Sequence, residues 1–138
     1  LIKEDKVLNY KSNFLKNETE VIAIDFDGVI HDNSLGYHDG TIYGNPVEGT
    51  LKSIKKIKDE GYRIIIYTCK AHSERPLVNQ KTGTELIWDW LKLNNISQYI
   101  ETVVWGKPHA ALYIDDKGFR FKNWKNAIDF LFSEEFSK

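Results

Sequence analysis

Val21-Ile22-Ala23-Ile24-Asp25-Phe26-Asp27-Gly28 is a short apolar run, mostly β-branched, that ends abruptly in two acids and a glycine. A run of this length, apolar at every position, reads as a strand buried on both faces, as in a parallel sheet. Working outward from it, Arg63 to Thr68 is a second such strand, Glu101 to Trp105 a third and Ala111 to Ile114 a fourth, the last running into Asp115-Asp116. Between them lie amphipathic stretches. Pro46 opens a helix with Val47, Leu51, Ile54 and Lys58 along one stripe and Ile57 beside it, stopped by Gly61. Thr82-x-x-Glu85 is a capping-box pattern, and the helix it starts, Gly83 to Asn94, carries Leu86, Trp90 and Leu93 on one stripe with Ile87 and Leu91 beside it. Asn123 caps a last helix with Trp124, Ile128 and Leu131 on its apolar side.

Strands alternating with amphipathic helices imply an α/β fold: a three-layer, Rossmann-like parallel sheet with right-handed crossovers and helices on both faces. At 138 residues and 16.1 kDa the chain suffices for one domain with a real core and is short for two. Residues 20–138 read as that domain, and residues 1–19, polar with scattered apolar positions, as an N-terminal arm or short helix. With 19 Lys and Arg against 20 Asp and Glu, the net charge of −1 argues against a strongly basic nucleic-acid binder. The single cysteine, Cys69, excludes an internal disulfide framework and a cysteine-rich zinc site. No apolar run approaches the roughly 20 residues of a membrane-spanning helix. With no apolar signal-peptide core at the start of the chain, a cytoplasmic location is the expectation.

In parallel sheets the ligand crevice lies beyond the C-terminal ends of the strands. The residues there are Asp25 and Asp27 after the first strand, Thr68 at the end of the second, Lys107 just past the third, and Asp115 and Asp116 at the end of the fourth. Clustered carboxylates repel unless a cation or proton intervenes, and hard oxygen ligands select Mg²⁺ over zinc. A lysine and a hydroxyl beside them suit a phosphoryl group. The residues by themselves therefore point to Mg²⁺-dependent phosphoryl transfer.

These segments resemble the motifs of the haloacid-dehalogenase superfamily of phosphohydrolases. Ile24-Asp25-Phe26-Asp27-Gly28-Val29-Ile30 is similar to the first motif and Ile66-Tyr67-Thr68 to the second; Gly106-Lys107-Pro108 and Tyr113-Ile114-Asp115-Asp116 are similar to the third and fourth. The resemblance covers about residues 20–130, in the family's order. It implies that Asp25 is the nucleophile of an aspartyl-phosphate intermediate and Asp27 the general acid and then base. It further implies that the Phe26 and Gly28 amides, Thr68, Lys107 and the backbone of Cys69 hold the phosphoryl group. Mg²⁺ would be bound by the Asp25 carboxylate, the Asp27 backbone carbonyl and the fourth-motif acids, with Asp116 favoured for direct contact and Asp115 behind it, or the reverse.

The gaps where this superfamily inserts cap domains are short here. Residues 29–46 hold at most a hairpin flap, centred on His38-Asp39-Gly40-Thr41, and residues 69–106 are used by one helix and one strand. The chain thus resembles the small capless type. An open site is expected to take a large phosphorylated substrate, a nucleic-acid end, protein or glycan among them, or to be covered by another subunit of an oligomer. Two other function classes compete: a phospho-acceptor signalling domain, and a catalytically weak binding or regulatory module on the same fold. Receiver domains carry their acid pair after the first strand and their Lys-Pro near the end, whereas here the acid pair comes last. His31, Lys70, His72 and Arg75 read as solvated loop polars, Tyr43 and Trp105 as packing residues, and Trp90 as core.

Overall fold

The computed structural model describes residues 20–36, 39–115 and 119–133. The proposed arm at 1–19, the centre of the flap at 37–38 and Asp116 lie outside the described residues. Strand β1 is Val21–Asp25, β2 Arg63–Tyr67, β3 Thr102–Val104, β4 Leu112–Asp115 and β5 Phe119–Arg120. Helices are α1 at Thr50–Asp59, α2 at Gly83–Leu93 and α3 at Trp124–Leu131. All strand pairs are parallel and the order is β3-β2-β1-β4-β5. This is the α/β, Rossmann-like parallel sheet that the alternation implies, with one further short strand, β5, between the fourth strand and the last helix.

Residues paired in register share a face. Ile22 and Ile24 of β1, Ile64 and Ile66 of β2, Val103 of β3 and Ile114 of β4 form one such face. They pack into a single core with Ile54 and Ile57 of α1, Ile87, Trp90 and Leu91 of α2, and Trp124, Ala127 and Leu131 of α3. The steps β1 to β2 and β2 to β3 go the same way across the sheet, so right-handed crossovers put α1 and α2 on one side. On the opposite face Ala23 and Ile65 are also buried. There the chain returns from β3 to β4 through residues 105–111, too short a link for a crossover helix. Lys107 lies over the rings of Tyr67 and Tyr113, and the Tyr113 hydroxyl donates to the Pro108 carbonyl. Among the described residues, α1–α3 thus share one face of the sheet and this crossing segment covers the other, where the alternation predicts helices on both faces.

The helices differ from their expected faces in detail. α1 starts at Thr50 rather than Pro46. Residues 45–47 instead close the neck of the flap: Asp32 N–H donates to the Asn45 carbonyl (2.9 Å) and Val47 N–H to the Ile30 carbonyl (2.8 Å). Gly49 then turns the chain at a φ of +89°, and a Cβ there would meet Trp124 Cβ at 3.3 Å. The buried stripe of α1 is Thr50, Ser53, Ile54 and Ile57, and Leu51 is exposed. In α2 the buried residues are Ile87, Trp90 and Leu91, while Leu93 is 79% exposed. The capping box of Thr82 and Glu85 and the Asn123 cap of α3 form as expected.

Candidate functional site

The strand order reverses at β1: β2 and β3 lie on one side of it, and β4 and β5 on the other. Such a switch point opens a crevice at the C-terminal edge, because the connections leaving the two neighbouring strands diverge. The last pair of the β1–β4 ladder is Ile24 with Ile114. Asp25 and Asp115 come next on their strands and so adjoin across a gap of about 5 Å between backbones. On the other side Asp25 pairs with Tyr67, and Thr68 is the next residue of that strand. The central three strands therefore deliver Thr68, Asp25 and Asp115 to one stretch of edge.

Each side chain has local support. The Phe26 N–H donates to Asp25 Oδ1 at 2.8 Å, which orients the carboxylate. Asp115 is only 3% exposed and receives Lys107 Nζ on Oδ2 at 3.3 Å, the lysine being held over the two tyrosine rings. The crossing segment thus brings Lys107 back over the sheet to the site, although it lies beyond β3 at the rim of the molecule in sequence. Thr68 is buried, and its Oγ1 accepts from the Lys70 N–H as it caps the 3₁₀ turn Cys69–Ala71. Cys69 opens that turn and is exposed. Gly28 has a φ of +84°, which only glycine adopts freely, and its N–H donates to the His31 carbonyl at 2.8 Å.

Asp27 sits at the centre of a network that the sequence reading did not find. Its Oδ1 meets His31 Nδ1 at 2.8 Å and its Oδ2 meets Lys70 Nζ at 3.2 Å. Burial pushes the Asp27 pKa up, but the His31 hydrogen bond and the Lys70 charge outweigh it and hold the carboxyl below the ordinary aspartate value. His31 is no solvated loop residue: it is 1% exposed, stacked on Phe26 and met edge-on by Tyr43 and Trp90. The Gly44 N–H donates to His31 Nε2 at 3.0 Å, which leaves Nδ1 as the donor to Asp27 in the neutral ring. The Gly44 carbonyl in turn accepts from Trp90 Nε1 at 2.9 Å. A chain of contacts thus runs from core helix α2 through the flap to Asp27. Gly44 admits nothing larger, since a Cβ there would lie 2.0 Å from the Asp32 carbonyl oxygen. The one sequence signal was His31 four residues beyond Asp27, inside a loop otherwise rich in glycine.

Among the described residues no group of three or more His, Cys, Asp or Glu is gathered as a metal site. The donors that adjoin are two, Asp25 and Asp115, both hard carboxylates at neighbouring strand ends. Two such groups suit Mg²⁺, which takes one or two carboxylates and otherwise water and phosphate oxygens.

The scan against protein-family models and the search of curated proteins give no match. Among solved structures, a conserved protein from Bacteroides thetaiotaomicron is similar, with a TM-score of 0.51 at 16% identity, over 82% of this chain and 89% of that one. That likeness bears on the fold alone, and it agrees with the α/β sheet described above. Among the described residues no helix is long and apolar enough to cross a membrane.

Proposed function

We propose that the chain is a Mg²⁺-dependent phosphomonoesterase of the haloacid-dehalogenase type, working through an aspartyl-phosphate on Asp25. One observation carries the reading: Asp25 and Asp115 adjoin at the switch point of a parallel sheet, with Thr68 on one flank and Lys107 bound to Asp115 on the other. The strand order also runs against the phospho-acceptor alternative, since receiver-type domains order their strands 2-1-3-4-5.

In this reading Asp25, held by the Phe26 amide, attacks phosphorus and the ester oxygen leaves. Thr68 and Lys107 hold the phosphoryl oxygens, and Lys107 offsets the charge of the acids. The Asp25 and Asp115 carboxylates, with Asp116 and the Asp27 carbonyl, would hold Mg²⁺, which when bound neutralises charge on the phosphoryl oxygens. Asp27 gives a proton to the leaving oxygen and then draws one from the water that cleaves the acyl phosphate. Lys70 and His31 hold Asp27 as a carboxylate at rest, ready for the second of these tasks. An arriving phosphate dianion repels that carboxylate and raises its pKa, so the proton needed for the first task is taken up with substrate. A single exposed thiol at Cys69 suits a reducing compartment, and the cytoplasm is the proposed location.

The test is hydrolysis of an aryl phosphate, with Mg²⁺ and with EDTA, by the wild type and by Asp25→Asn. Metal-dependent turnover in the wild type that drops to background in the variant is the expected result. Equal turnover by the two proteins would overturn the role of Asp25.

A further inference from the structure

Beside Asp27, on the flap side, is a cavity of about 190 Å³ whose walls include Asp27, His31, Asn33, Thr41, Tyr43 and Lys70. We infer that this cavity is the leaving-group subsite and that it takes a small, hydroxylated alcohol, so that the substrate is a polyol or sugar monophosphate. The inference rests on the phosphatase reading and narrows it.

The position follows from the chemistry. In-line displacement puts the leaving oxygen opposite the attacking Asp25 carboxylate, and the group that protonates this oxygen must lie within hydrogen-bond reach of it. The carbon skeleton on that oxygen therefore extends into the space next to Asp27. Described flap residues, Asn33, Thr41 and Tyr43 among them, line one side of that space, and Lys70 of the loop after β2 lines another. Its volume is below the roughly 300–1,000 Å³ of pockets that enclose drug-sized ligands, leaving room for a group of a few carbons.

The lining selects hydroxyl groups over a charged or an apolar group. Lys70 is the one cation among these residues, and its charge is already matched by Asp27 at 3.2 Å, so the wall carries little net charge for an anionic leaving group to meet. The ammonium has further N–H donors, Asn33 brings an amide that both donates and accepts, and Thr41 Oγ1 donates to Asp39 and so presents its lone pairs. Donors and acceptors side by side pair with vicinal hydroxyls, each of which does both. The Tyr43 ring, its hydroxyl tied to the Gly36 carbonyl, supplies a flat apolar wall for the C–H face of such a skeleton. A missing cap alone favours a large substrate, but the flap that carries His31 to Asp27 also lines the leaving-group side and favours a small one.

Two measurements test it. The first compares kcat/KM for glycerol phosphate and a hexose monophosphate with that for a phosphorylated oligonucleotide and a phosphopeptide, all with Mg²⁺. The polyol esters should be preferred by about tenfold or more, and Thr41→Val and Asn33→Leu should each raise their KM by about fivefold, as loss of one neutral hydrogen bond does, with the loss falling on KM rather than kcat. A preference for either polymer, or an unchanged polyol KM in both variants, would overturn the inference. The second measures calorimetric binding of the same polyol phosphates to the Asp25→Asn protein. If the wild type hydrolyses no ester but binding is seen and Thr41→Val weakens it, the phosphatase reading fails and the subsite stands. If the polyol phosphates do not bind, the subsite fails whatever the activity.

Discussion

His31 is the residue whose role changes most between sequence and structure. As a loop histidine it had no reason to be more than solvated, yet its ring is enclosed by three aromatic side chains and has both nitrogens engaged. His31→Ala would remove a donor from Asp27, so the Asp27 pKa should rise and the basic limb of a kcat/KM profile, set by the proton Asp27 must carry to the leaving oxygen, should move to higher pH. His31→Asn, whose amide can reach Asp27 from a similar place, should restore part of that shift. A profile unmoved by His31→Ala would show that the contact does not tune Asp27. The same carboxyl links pH to stability. Asp27 binds its proton less tightly folded than unfolded, so its contribution is complete above the ordinary value of 3.8 and is lost as pH falls through the lower folded value. The melting temperature of the wild type should therefore fall towards that of Asp27→Asn as the pH is lowered from about 5 through 3.8 and below, which a series of thermal melts would read. Gly44→Ala drives a Cβ into the Asp32 carbonyl and should cost about 2–3 kcal/mol, measured by urea unfolding.

At the scale of elements, the strands were legible because a run such as Val21 to Ile24 is apolar at every position and so independent of which side faces which partner. The helices were legible as helices, through the Thr82–Glu85 capping box and the Asn123 cap, whose signals are local. Their faces were less so. An apolar stripe can be drawn through Leu86, Trp90 and Leu93 or through Ile87, Trp90 and Leu91, and only the position of the sheet decides between them. α1 adds a second cause: its buried face includes Thr50, whose hydroxyl accepts from Trp124 Nε1 at 2.8 Å, a polar residue buried for a distant partner. The corrected faces give an unequal pair of substitutions. Ile87→Ala should cost about 2–5 kcal/mol, while Leu93→Ser, on an exposed position, should stay within about 0.5 kcal/mol. Equal losses in chemical unfolding would mean that α2 is rotated from the position described. Of the site, the strand-end residues Asp25, Thr68 and Asp115 were legible because strand ends are. The contacts of Asp27 were not, since they are made by a flap whose path follows from backbone bonds and not from any periodic pattern.

At the scale of the molecule, the sheet brings two carboxylates to neighbouring strand ends, and Lys107 meets one of them. Lys107 is 41% exposed on its side chain while Asp115 is almost wholly buried, so solvent screens the cation more than the anion. Asp25 adjoins this pair on the neighbouring strand. Folding thus brings two hard carboxylates together at the switch point, where a divalent cation can bind both. A ligand that binds the folded chain and not the unfolded one stabilises it by RT ln(1 + [L]/Kd), about 2.7 kcal/mol at a hundred times Kd. Mg²⁺ should therefore raise the melting temperature in a concentration-dependent, saturable way, and EDTA should reverse it, whether or not a substrate is known. Asp25→Asn and Asp115→Asn should each lose most of the response to Mg²⁺, and Asp115→Asn, which breaks the buried pair with Lys107, should also melt lower than the wild type in EDTA. Na⁺ at equal ionic strength separates site binding from screening, which acts on any exposed charge. If Na⁺ reproduced the effect, or if both variants kept the full Mg²⁺ shift, the adjoining acids would not be a metal site.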